Sequence, residues 1–255
     1  MLNKFCCLFA SVLAGIFAFL FVPPVLAESA AVSLEERVAW SMNRLKTGGS
    51  CNRCYMSGID LRGHTLYRAS LKMAVIRNAD LRWTYFEDVD LYMADLRGSD
   101  LREASLERAN LYDADLRETD LEKASLKGAD LSHANLQGAY LNETILSGAI
   151  LREARLDEAD LSGADLRSAD FSQSILYNAD FTGANLENAL LSYSIMRGAN
   201  FTGANLQGAS FRGVDFENVD FTDTDLSGIN VTVEELGNAI LCRTLTPWGE
   251  DSTGC

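Results

Sequence analysis

Histidine is almost missing from this chain, with two in 255 residues, and that scarcity nearly excludes His-based acid–base catalysis and a His-rich metal site. Net positive charge is missing too: 22 Lys and Arg face 36 Asp and Glu, and a formal charge of −14 disfavours direct contact with nucleic acid. No twin arginine precedes the apolar N-terminal run, and no small residue leads into Cys6 or Cys7 as lipid attachment requires. No nucleophile and base stand together in a pattern that names a reaction. The chain therefore reads as non-enzymatic, without a cofactor, and its 47% hydrophobic content makes it a folded one.

Residues 1–27 carry one early cation, Lys4, an apolar run from Phe5 to Val22, then Pro23-Pro24 and the small-residue pattern Val25-Leu26-Ala27. This is the layout of a secretory signal cut after Ala27, which leaves no stably inserted segment behind. An uncleaved membrane anchor is the alternative, because the run approaches the ~20 residues of a spanning helix. Of six cysteines, Cys51, Cys54, Cys242 and Cys255 remain after the signal, and an even number in an exported chain implies disulfides.

From Leu61 to Leu226, 34 positions spaced five apart hold 25 Leu, seven Phe, Ile76 and Met196. Two residues before each of these (i−2, where i is the large residue), 22 of the 34 are Ala, and most of the rest are Ser, Thr or Val. A period of five drifts around a helix, whose apolar spacing averages 3.6, and it fails the alternation of a flat strand. A solenoid accommodates it. Residues i and i−2 point inward, while i−1, i+1 and i+2 face solvent; one small residue per unit is needed because stacked Leu and Phe fill a narrow interior.

The stretch "ADLRGSDLREASLERANLYDADL", residues 94–116, resembles the A(D/N)LXX signature of the pentapeptide-repeat proteins, and the likeness covers residues 57–230 without interruption. It implies an all-β solenoid, a right-handed quadrilateral β-helix of about 8.5 coils, which at ~4.8 Å per coil is a rod of about 40 Å. Both ends of such a rod need covers. Ser33-Leu34-Glu35-Glu36 forms a capping box before a helix with Leu34, Val38, Met42 and Leu45 on one stripe, ended by Gly48-Gly49. Thr232-Val233-Glu234-Glu235 predicts a second short helix whose Leu236, Ile240 and Leu241 cover the last coil. The layout is thus a signal (1–27), an N-terminal helical cap (28–56), the β-helix (57–230) and a C-terminal helical cap with a cysteine tail (231–255). The stretches "SCNRCYMSGIDL" and "LCRTLTPWGEDSTGC" are similar to the flanks of signal-bearing members from cyanobacteria and plastid lumens.

On the implied rod the two cysteine pairs lie at opposite ends, too far apart to bridge, which leaves Cys51–Cys54 and Cys242–Cys255. Thiol exchange and metal binding are the competing readings of these four. His64 falls at an inward i−2 position and is expected in the core, whereas His133 falls on the surface. Asp60, Asp80, Asp100 and Asp120 recur every twenty residues, with Arg62, Arg82 and Arg102 beside them, a pattern of charge balance rather than of a perturbed catalytic carboxylate. Apolar residues at outward positions say more. Ile175, Tyr177, Leu190, Tyr193 and Ile195 make one cluster, and Tyr67, Tyr85, Met73 and Met93 make a second near the N-terminus.

These features predict an exported scaffold for protein partners, in the periplasm or thylakoid lumen, with a homodimer through a cap or face also open. The resemblance adds another reading, an acidic DNA-mimic rod that binds a topoisomerase, although Arg77, Arg97 and Arg117 interrupt the acidic faces. A thiol-redox-regulated lumenal protein is the third.

Overall fold

The computed structural model describes residues 33–46 and 50–255. From Cys51 the backbone repeats one five-residue device. The N–H of residue i+3 donates to the carbonyl of residue i, as from His64 to Leu61 (2.9 Å) and from Ala134 to Leu131 (3.0 Å). The residue at i+2 has positive φ, from Arg53 (57°) to Asp223 (57°), which is the geometry of a type II turn. Asparagine and glycine take this conformation readily; the Glu, Arg and Met residues found there take it at some cost. That cost is met by a second bond, since the N–H of residue i+2 itself donates to the coil above, as from Met73 to the Tyr92 carbonyl at 2.8 Å.

Four turns close one circuit. Parallel bridges join each i−1 residue to the residue twenty positions later, beginning at Tyr55↔Val75 and ending at Asp225↔Leu245. Each bridge is one residue wide, so the sides consist of isolated bridges and turns rather than long strands. We number the sides by their starting residues: the first at 50, 70, 90 and onward, the second at 55, 75, 95, the third at 60, 80, 100, and the fourth at 65, 85, 105. Above Asn205, Ser210 and Asp215 the ladders are interrupted among the described residues, before Asp220↔Ile240 restores the register.

Inside, the large residues form four columns with essentially no exposure, each burial contributing roughly 1.5–3 kcal/mol. Phe181 and Phe201, one coil apart, stack at 4.7 Å with planes 2° apart, and Phe201 continues to Phe221 at 5.5 Å. Where i−2 is Ser or Thr rather than Ala, the hydroxyl is buried but satisfied: Thr84 donates to the Leu61 carbonyl (3.0 Å) and Ser174 to the Phe171 carbonyl (2.7 Å).

At the N-terminal end, helix α1 (Leu34–Lys46) carries the expected capping box: the Glu36 N–H donates to Ser33 Oγ at 3.2 Å and the Ser33 N–H to Glu36 Oε2 at 3.0 Å. Val38, Trp40, Met42 and the buried Leu45 pack on the base of the solenoid. Gly48-Gly49 and the signal lie outside the described residues. The repeat begins earlier than residue 57, with Cys51 and Met56 in the large interior position and Cys54 and Ile59 in the small one.

The C-terminal end corrects the sequence reading. The second capping box forms, with the Thr232 N–H donating to Glu235 Oε2 at 2.7 Å and the Glu235 N–H to Thr232 Oγ1 at 3.2 Å, yet no helix follows. Gly237 and Asn238 end it after a single turn, because Ile240 must return to the ladder on Asp220. Leu236, Leu241 and Thr246 keep the interior phase, and strands β1 (Thr244–Thr246) and β2 (Gly249–Asp251) pair as an antiparallel hairpin that covers the top. His64 is a second correction: it is exposed, with Nδ1 3.2 Å from the Arg62 carbonyl. Its coil is the lowest, with no coil beneath it, and the hydrogen bonds of α1 to that coil fall elsewhere, at Tyr55, whose carbonyl accepts from Ser41 Oγ at 3.2 Å, and at Cys51.

Candidate interaction surface

Ile175 and Ile195 are bridge partners on the second side, one coil apart, with Ile175 half-buried and Ile195 47% exposed. Tyr177 stands on the same side, exposed. Leu190 does not join them directly; it lies on the first side, in a ladder between Asp170 and Ser210. Tyr193 occupies the corner between the two sides with φ 61° and is 53% exposed. The five residues therefore form one band that turns a corner. Its corner is held by packing: the Tyr193 ring lies over Gly213, and the Arg212 guanidinium sits 5.8 Å from the ring centroid. Ile150, 38% exposed on the same ladder as Leu190, extends the apolar character and was not anticipated; its twenty-residue spacing from Asp170 and forty-residue spacing from Leu190 carried that signal. Between them Asp170 is almost buried and accepts a bond from Arg152 Nε at 2.6 Å.

Charge elsewhere is organised in pairs. On the third side Arg62, Arg82 and Arg102 each grip the Asp two residues earlier through both nitrogens, as Arg62 does Asp60 at 2.9 and 2.6 Å, and each also approaches the Asp of the next coil at 3.3–3.5 Å. The Arg62 bonds hold Asp60 at about 2, well below an ordinary carboxylate. On the second side Asp95 is pushed up by burial, but the guanidinium bonds of Arg97 and Arg77 outweigh this and bring it to about 2. Asp80 and Asp165 are likewise lowered by their guanidinium bonds, and at Asp100 burial is again outweighed by the bonds to Arg102, the opposite of what a catalytic acid needs.

The cysteines close two local loops. Cys51–Cys54 spans the first turn, with Cα atoms 5.3 Å apart and both residues buried. Cys242–Cys255 ties the tail to the top coil, Cα atoms 4.8 Å apart, with Cys255 exposed and Arg243 Nη1 donating to Cys242 Sγ at 3.4 Å. Among the described residues no group of three or more His, Cys, Asp or Glu is placed to hold a metal ion. His133 faces Glu153 at 3.5 Å and the ring of Tyr112 at 5.0 Å. Tyr92 and Tyr112 stack on the first side at 5.8 Å, and with Arg108 and Asn110 they line a shallow groove of about 490 Å³, another feature the sequence reading passed over.

Of the N-terminal group, Tyr67 and Tyr85 share the fourth side and Met73 and Met93 share a corner column, all exposed. Trp83, 46% exposed at the corner leading into the fourth side, belongs with the two tyrosines.

The family model described as pentapeptide repeats matches residues 54–92, 90–128, 124–163, 154–192 and 194–232, as eight copies. HetL, a pentapeptide repeat protein involved in heterocyst differentiation regulation from the cyanobacterium Nostoc sp. strain PCC 7120, is 30% identical over 71% of this chain and 95% of its own, with a TM-score of 0.31. QnrB1, a plasmid-mediated fluoroquinolone resistance protein, superposes in its M102R, trypsin-treated form with a TM-score of 0.58 at 20% identity over 72% of this chain and 99% of its own. A pentapeptide repeat protein from the Arabidopsis thaliana thylakoid lumen is 30% identical over 49% of this chain and 67% of its own, with a TM-score of 0.21. No curated protein matches the chain.

Proposed function

Starting from the fact that this chain belongs to the pentapeptide-repeat family, we propose that it is a non-enzymatic scaffold, a right-handed quadrilateral β-helix whose outer sides bind protein partners. The observation that carries this reading is the apolar band of Ile175, Tyr177, Leu190, Tyr193 and Ile195 on a backbone fixed by two bonds per corner. Exposed apolar residues on a rigid support lose little entropy when covered, which suits recognition. The signal-like residues 1–27 and the two disulfides support export to an oxidising compartment, the periplasm or thylakoid lumen. The acidic-rod reading is weaker in the lower coils, where Asp60, Asp80, Asp95, Asp100 and Asp115 are each bonded to arginine.

The test compares the protein with its Ile175→Asp/Ile195→Asp variant as bait in extract of the native compartment, after checking that both melt alike. One partner recovered by the parent and lost by the variant supports the band. Identical recovery of every partner removes it.

A further inference from the structure

Near its upper end the rod is joined along one side only. Lower down, the sides are tied to the coil above by main-chain bonds, as from Leu186 to the Asn205 carbonyl, Asn188 to Gln207, Leu191 to Ser210 and Tyr193 to Arg212, all at 2.8 Å. One coil higher these bonds stop. Among the described residues, the N–H groups of Leu206, Gly208, Phe211, Gly213 and Phe216 and the carbonyls of Ala204, Ala209 and Val214 find no partner in the chain above them. This seam runs along the fourth and first sides and into the second. On the third side the ladder is whole: Phe201 donates to the Asp220 carbonyl at 2.7 Å, Gly203 to Thr222 at 2.9 Å, and the Asp220 N–H returns a bond to Ala199 at 3.0 Å.

The repeat phase explains the break. Position 234 falls in the small interior slot, two before Leu236, and holds an exposed glutamate, so the chain lays no coil there. It folds instead into the single turn of the Thr232–Glu235 capping box, where Leu236 donates back to Thr232 at 3.2 Å and Gly237 to Glu234 at 3.3 Å, which spends its backbone groups on itself. Everything beyond the seam is cross-tied. Asn218 donates to Asn238 at 3.0 Å, Phe221 to Ile240 and Asp223 to Cys242 at 2.9 Å, and Leu226 to Leu245 at 2.7 Å; Arg243 Nε donates to Asp223 at 2.6 Å, and Cys242–Cys255 fastens the tail. Solvent already reaches the seam. Ala209, Phe211 and Val214 are 7–9% exposed, whereas no apolar interior residue from Leu71 to Phe201 exceeds 2%.

We infer that residues 218–255 form a lid, hinged on the third side along Asn200↔Asp220, that lifts as one piece while the rod below it stays folded. A boundary crossed by few hydrogen bonds opens more readily than the units on either side of it, and such openings lie well below global unfolding in free energy. At the seam the closing force is apolar contact: the Phe221 ring meets Phe211 at 6.3 Å and Phe216 at 5.5 Å, both edge-on. Lifting the lid bares Phe211 and a row of unpaired main-chain donors, an edge on which a further parallel strand can pair. The inference does not rest on the scaffold reading, because the band at Ile195 lies below the seam and outside the core.

The test places single cysteines at small interior positions of the full chain, with both disulfides left intact. Ala209→Cys sits under the seam, Ala189→Cys one coil below it, and Val219→Cys close to the same height on the hinge side. Under native conditions iodoacetamide should modify the Ala209→Cys variant about tenfold faster, or more, than either of the others. Equal rates for Ala209→Cys and Ala189→Cys would mean that the seam stays shut, and equal rates for Ala209→Cys and Val219→Cys would mean that the whole end frays without a hinge; either overturns the inference. Amide exchange of the unaltered chain reads the same motion where a variant misfolds. The turn-bonded amides of Ala209 and Val214 should exchange ahead of those of Ala189 and Ser194 one coil below, while Phe221 and Leu226 stay protected. Equal protection in the two coils, or early exchange at Phe221 and Leu226 as well, would overturn it.

Discussion

The ring of Tyr193 lies across Gly213, with two ring carbons 2.7 Å from the place that a β-carbon on residue 213 would occupy. Gly213 also has φ 70°. Gly213→Ala should therefore destabilise by about 1 kcal/mol for the left-handed backbone and about 1 kcal/mol more for displacing the ring. Gly203→Ala, at φ 65° with open space around it, carries the backbone cost alone. Thermal midpoints of the two variants should differ, and Gly213→Ala alone should disturb partner binding at the band. Equal midpoints would mean that Tyr193 is free to move aside.

Acid should loosen the lower half of the rod. The native carboxyls of Asp60 and Asp95 titrate near 2 instead of near 4, so their stabilisation is fully present above about pH 4 and is lost as the pH falls through about 2. The thermal midpoint should stay level from pH 7 to about 5 and fall between about 4 and 2. Asp95→Asn should lower the midpoint at neutral pH, and the difference should shrink as the pH falls through about 2, where the parent loses the same charge.

The two disulfides should respond separately to a dithiol reductant. Cys51–Cys54 is enclosed by α1 and the first coil, whereas Cys255 is exposed and Arg243 stabilises the thiolate that Cys242 would release. Mild reduction should open Cys242–Cys255 first, costing about 3 kcal/mol for its longer loop against about 2 kcal/mol for Cys51–Cys54. Alkylation with mass mapping should find Cys242 and Cys255 labelled early, with faster amide exchange at residues 230–255. Equal labelling of all four cysteines would refute the order.

In the interior, Leu136→Ala should cost about 2–5 kcal/mol through the cavity it leaves. The reciprocal change, Ala134→Leu, should also destabilise, because the small position has no spare volume; overpacking costs about 1–3 kcal/mol. Both are read as melting midpoints. A neutral Ala134→Leu would show that the columns tolerate a second large residue per unit.

The repeat was legible from residue 61 onward because every unit restates which two residues face inward. Its true limits were not, since Cys51 and Cys54 hold interior positions without being Leu and Ala, and only the coil above identifies them as such. The capping boxes were legible at both ends because the motif is local: Ser33 and Glu36, like Thr232 and Glu235, need only each other. Whether a helix follows is not local. After Thr232 the register imposed by Asp220 on Ile240 overrides it, and His64, in the lowest coil with no coil beneath it, is exposed. Ile195 and Tyr193 could be placed outward by phase, but the corner that separates Leu190 from Ile195 requires four units per circuit, which the period of five does not state.

A register of twenty residues makes position on this rod a matter of arithmetic, in which the remainder on division by twenty names the side and the quotient names the height. Duplicating one five-residue unit below Ile175 would leave the interior columns matched, yet swing everything above it a quarter-turn and raise it by a quarter of a coil. The band at Ile195 would then face a new direction over an undisturbed base. One to three such duplications would thus turn the band to any of the other three bearings while every unit keeps its own inward pair.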